Sequence, residues 1–92
     1  MNEQWVLVTT DKRGVFFGRL IKNGESTVTL AEARNCIYWA KETKGFLGLA
    51  VTGPIGDSRI GPAVPEIELR GVTSISRCTD EAVARWKEAP WK

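Results

Sequence analysis

Asn23-Gly24 is the feature that most constrains this chain, because it stands between two runs rich in β-branched and aromatic residues. A two-residue turn of the tightest hairpin type needs positive φ at both central positions, and Asn-Gly is the pair that tolerates it best. The spacing therefore predicts a hairpin, with Val15 to Lys22 leading in and Ser26 to Leu30 leading out. Upstream, Gln4 to Thr10 has strand composition, and Asp11-Lys12-Arg13-Gly14 is a polar turn. Three antiparallel strands follow within the first 30 residues. Gly18, inside the second strand, predicts a bulge or the close approach of another backbone.

Beyond the meander the pattern loosens. Ala31 to Arg34 reads as a helical turn or a loop, and Asn35 to Ala40 as a fourth strand. Phe46, Leu47, Leu49, Ala50 and Val51 suit about two turns of helix, placed near residues 44–52. Gly53 to Pro65 is glycine- and proline-rich and reads as irregular loop. Glu66 to Arg70 alternates with Ile67 and Leu69 inward, Gly71 shifts the phase, and Val72 to Arg77 continues as a strand with Ile75 inward. Thr79 is the expected N-cap of a C-terminal helix that carries Asp80 and Glu81 in its first turn and ends at Pro90. The chain reads as one α+β domain over residues 1–92, a mainly antiparallel sheet of three to six strands with a C-terminal helix.

Composition narrows function mainly by exclusion. Histidine is absent, which removes Ser-His and Cys-His nucleophile activation, an imidazole base and any His-containing zinc site. Cys36 and Cys78 match no CxxC spacing and read as buried free thiols of a reducing compartment, with a disulfide between them as the less favoured alternative. No signal peptide and no apolar run of membrane-spanning length is visible, so a cytoplasmic protein without a membrane partner is expected. A net charge of +2 without a basic stripe argues against a nucleic-acid polymer as partner. So small a domain without staples has a thin core, and a homo-oligomer is expected on that ground. Catalysis, cofactor and metal are not expected.

The residues with binding chemistry are Arg34, which precedes Tyr38 and Trp39, and Arg59 in the long loop. Arginine clamps phosphate while Tyr and Trp offer flat faces to a base, so together they would form a nucleotide pocket. The commoner reading of strand aromatics is core packing, and of a loop arginine, solvation. Trp86 and Trp91 read as packing residues.

Several motifs in order resemble a group of small bacteriophage proteins that share an uncharacterised domain. They are Gly14-Val15-Phe16-Phe17-Gly18, Ala33-Arg34 followed by Tyr38-Trp39, Leu49-Ala50-Val51 with Gly53, Glu66-Ile67-Glu68-Leu69, Cys78-Thr79-Asp80-Glu81-Ala82 and Pro90-Trp91. Asn35 replaces a second arginine of that pattern and Ile37 a tryptophan. The group is similar to the anti-Thoeris and anti-CBASS sponges, oligomers that sequester cyclic ADP-ribose isomers or cyclic oligonucleotides. The resemblance implies a non-catalytic homo-oligomer in the cytoplasm of an infected bacterial host, binding a small anionic nucleotide. Its implied ligand residues are Arg34, Tyr38, Trp39 and Arg59, with Arg13 a weaker candidate. The alternative is a non-catalytic interaction module that inhibits or scaffolds a host or phage protein. An enzyme that cleaves such messengers is a distant third.

Overall fold

In a computed structural model that describes residues 4–11, 14–56 and 58–90, the meander is β1 (Trp5–Thr10), β2 (Val15–Asn23) and β3 (Thr27–Tyr38). The three strands pair antiparallel in chain order, with Val6 opposite Gly18 and Phe17 opposite Arg34. The hairpin is where expected, but its chemistry differs. Asn23 is the last residue of β2, the Gly24 N–H donates to the Thr27 carbonyl at 2.9 Å, and Glu25-Ser26 forms the tip. Neither Asn23 nor Gly24 has positive φ. The register of Asn23 opposite Val28 leaves no room for a two-residue Asn-Gly turn.

Residues 31–34, expected as a helical turn or loop, instead carry β3 straight into the segment expected as a fourth strand. Ala31 pairs with Arg19 and Arg34 with Phe17, so β3 holds one residue more than β2 across this step. Glu32, at φ 51°, absorbs it as a bulge. Gly18 lies opposite, and a Cβ there would stand 2.9 Å from Leu30 Cβ and 3.1 Å from the Ala31 carbonyl oxygen. The bulge and the close approach expected at Gly18 are both present.

The later strands curl the sheet. β4 (Arg59–Ile60) and β5 (Val64–Arg70) pair with the C-terminal and N-terminal halves of β3, and β6 (Val72–Arg77) pairs with β1. Only Gly71 separates β5 from β6. It sits at φ 68° and accepts the Asp11 N–H at 2.8 Å. At that φ an L side chain is strained, and a Cβ at Gly71 would also lie 2.6 Å from Asp11 Oδ1, so Asp11 would have to shift. Val6, Val8, Val28, Leu30, Ala33 and Leu69 pack inside the curl, with Ile67 partly buried against them. Ile67 and Leu69 therefore face inward as their alternation predicts. Ile75 shares the inward face of Val8, which it stands opposite, but it lies on the marginal strand with no strand beyond it and is 36% exposed. Pro65, expected to end the loop, belongs to β5. That strand is at the sheet's edge, where a missing N–H is tolerated.

The opposite face is covered by α1 (Phe46–Val51) and α2 (Asp80–Glu88). The short helix expected near residues 44–52 is present. Thr79 caps α2 as expected, its hydroxyl accepting the Ala82 N–H at 3.0 Å. Leu7, Phe17, Cys36, Leu49, Ile60, Ala82 and Trp86 form the core beneath the helices. Within it, Phe17 stacks between Trp5 and Trp86, with ring centroids 5.3 and 4.9 Å away.

Candidate functional site

The five residues expected to bind ligand do not converge on one point. Arg34 lies on β3 opposite Phe17, on the face covered by the helices, and is 7% exposed. Its Nε donates to the Gly61 carbonyl at 2.8 Å, and its Nη1 to the Trp86 and Ala89 carbonyls at 2.8 and 2.6 Å. Trp86 and Ala89 mark the C-terminal end of α2, where the last carbonyls have no helical partner and the dipole is negative. Burial pulls the Arg34 pKa below its ordinary value. The guanidinium nevertheless keeps its charge, and the helix terminus provides the compensating polarity. Arg34 thus binds main chain, joining β3, the loop at Gly61 and α2.

Tyr38 and Arg59, by contrast, are brought together. β3 carries one residue more than β4 between Cys36 opposite Ile60 and Tyr38 opposite Arg59. Ile60 and Cys36 point into the core, and the extra residue turns Tyr38 outward with Arg59. Directly opposed residues of an antiparallel ladder share a face, so Tyr38 and Arg59 are cross-strand neighbours. Both are exposed, Tyr38 to 53%. Among the described residues no carboxylate pairs with Arg59.

Trp39 follows Tyr38 and turns toward the other edge of β3. It packs partly against the helix-side core and walls a cavity of about 430 Å³ with Phe46 and Val15. Among the described residues, Thr9, Thr10, Gly14, Thr73 and Ser74 complete its lining. These hydroxyl residues sit at the β1–β6 margin, and nothing in their local sequence distinguishes them from ordinary strand threonines and serines. Their significance comes from register alone. Arg13 and Trp91 lie outside the described residues, as do Lys12 and Asp57. Among the described residues no cluster of three or more Cys, Asp or Glu could hold a metal ion. Among the described residues no helix is long and apolar enough to cross a membrane.

Both cysteines are free thiols, Cys36 in the core beneath the helices and Cys78 packed against it. Burial pushes the Cys36 thiol up to about 11, opposed by a weaker backbone hydrogen bond at Tyr38, and the Cys78 thiol up to about 12. The native state therefore holds both as neutral thiols at pH 7–8. Their contribution to stability is complete below the ordinary thiol pKa of 9.0 and is lost as pH climbs from there through about 11 to 12. Two outcomes follow. Native protein at pH 7.5 should react slowly with a thiol reagent and quickly once unfolded, and its urea midpoint should fall above pH 9. Fast native labelling of both thiols would contradict this.

The model of one family, described as Domain of unknown function (DUF6948), matches residues 3–86. No curated protein and no solved structure matches the chain.

Proposed function

The chain belongs to the DUF6948 family, and we propose that it is a non-catalytic binding protein that sequesters a small anionic nucleotide. In this reading it is a phage protein acting in the infected cell, as a homo-oligomer, on a cyclic nucleotide immune messenger. The observation that carries it is the exposed Tyr38–Arg59 pair, an aromatic residue and a cation with no carboxylate partner among the described residues, set opposite each other by the β3–β4 register. A base stacks on the ring while the guanidinium takes a phosphate oxygen pair. Trp39, next in the chain, faces the other edge of β3 and lines a separate cavity. Sequestration asks only for affinity, since lowering the free messenger needs no bond cleavage. The motif resemblance to the phage group supports the same class.

The test is depletion. Purified protein in excess is incubated with cyclic dinucleotides, cyclic trinucleotides and ADP-ribose isomers, and free ligand is measured by chromatography after filtration. One class should be depleted without appearance of product, and Arg59→Ala should weaken retention about tenfold, the effect of one lost charged hydrogen-bond pair. If every free concentration stays unchanged, the reading falls.

A second reading has its own observation. Leu47 and Val51, one turn apart on α1, are 57% and 56% exposed, and Ile37 beside Tyr38 is 53% exposed. Apolar surface of this kind suits a protein partner. On that reading Leu47→Glu abolishes activity in the cell while Arg59→Ala leaves it intact.

A further inference from the structure

The cavity beside Trp39 differs chemically from the Tyr38–Arg59 pair: the described residues that line it are uncharged. A cavity of about 320 Å³ elsewhere on the helix side makes the contrast, since Glu32, Arg34 and Lys87 all contribute to its wall. At about 430 Å³ the Trp39 cavity falls in the size range of small-molecule sites.

Its polar groups say more. Thr9 Oγ1 lies 2.8 Å from Thr73 Oγ1 and 2.5 Å from Ser74 Oγ. Three hydroxyls carry three protons, and two contacts engage only two of them. At least one O–H is therefore left to donate outward, and acceptor lone pairs remain as well. The indole N–H of Trp39 has no partner among the described residues. Such a wall both gives and takes hydrogen bonds without charge, which matches ligand hydroxyls. Across from it, Trp39 and Phe46 supply the apolar surface on which the C–H face of a ring can lie.

We infer that the Trp39 cavity is a subsite for a neutral, hydroxyl-bearing sugar ring, held between Trp39 and the Thr9–Thr73–Ser74 hydroxyls. The inference rests on the binding reading above, whose anionic part belongs to Arg59 and whose neutral part it assigns here. A free saccharide and the ribose of a nucleoside share this chemistry, and the experiment separates them.

Amide chemical shifts of the protein are followed while methyl glucoside, ribose, adenosine or inorganic phosphate is added. Saturable shifts at Thr9, Thr73 and Ser74 are expected with a neutral sugar-bearing compound, unchanged by raised salt. Shifts with all three neutral compounds establish a general sugar subsite, and shifts with adenosine alone identify the ribose of a nucleoside. Thr73→Val, a substitution at an exposed position that leaves the core untouched, should weaken that binding about tenfold. Shifts at these residues with phosphate alone, or with none of the neutral compounds, overturn the inference. A cyclic nucleotide retained through Arg59 with Thr9 and Ser74 unmoved overturns it too, while leaving the sequestration reading standing. No retention of any compound removes both.

Discussion

Replacing Arg34 with alanine should cost on the order of 3–5 kcal/mol of stability, because it strips partners from three main-chain carbonyls at once. The carbonyls of Gly61, Trp86 and Ala89 come from two distant parts of the chain, and one guanidinium ties both to β3. A hydrogen bond to a charged group is worth about 1.5–3 kcal/mol, and a buried carbonyl left unpaired adds a penalty of its own. Arg34→Lys should recover only part of the loss, since a single ammonium cannot reproduce a fork spanning Gly61 and the end of α2. For a domain of this size each kcal/mol moves the melting temperature by roughly 4–8 °C. Urea and thermal unfolding of the three proteins decide the matter. A near-native midpoint for Arg34→Ala would show that Arg34 does not hold these segments together.

The second large effect is expected at Trp86. Its side chain is fully buried, its ring lies 4.9 Å from Phe17 at an interplanar angle of 1°, and its indole N–H donates to the Leu49 carbonyl at 3.0 Å. Truncation to alanine removes the stack, opens a cavity under both helices and orphans that carbonyl. The cost should be about 3–5 kcal/mol. Trp86→Phe keeps an aromatic ring against Phe17 while losing the hydrogen bond, so it should cost about 1–3 kcal/mol. The spread between the two variants separates packing from polar satisfaction. Equal losses in denaturant titrations would assign the whole effect to the N–H bond. Lys87, the next residue, holds its ammonium 4.2 Å from the centre of the Trp5 ring and extends the stack to the surface.

Much of this fold is legible in the chain because it depends on near neighbours. Alternation places Ile67 and Leu69 inward, Thr79 caps the helix it precedes, and Gly18 marks the point where β3 approaches β2. The misreadings share one cause. Ala31 to Arg34 has no strand pattern of its own, and it is extended because β2 on one side and β5 on the other both pair with it. The Asn23-Gly24 turn moves to Glu25-Ser26 because pairing beyond it sets the register. Ile75 alternates correctly but lies on the marginal strand, where no partner covers it.

The candidate site divides the same way. Arg, Tyr and Trp could be named as binding chemistry from residue type, but residue type does not say which side of a sheet they occupy. One bulge residue between Cys36 and Tyr38 turns Tyr38 out to join Arg59. Two residues before Cys36, the same strand buries Arg34 against the end of α2. The Thr9, Thr73 and Ser74 hydroxyls carried no signal at all until the β1–β6 register placed them beside Trp39.

The chain by itself determined the α+β class, the opening meander, the capped C-terminal helix and the absence of histidine chemistry. Those follow from side-chain period, turn chemistry and composition, which act over a few residues. Tertiary structure alone decided that Gly71 lets one bent strand close the sheet, that Arg34 serves main chain, and that hydroxyl side chains line a cavity beside Trp39. Each of these depends on strand register between segments far apart in sequence. A shift of one residue there turns a side chain from core to solvent.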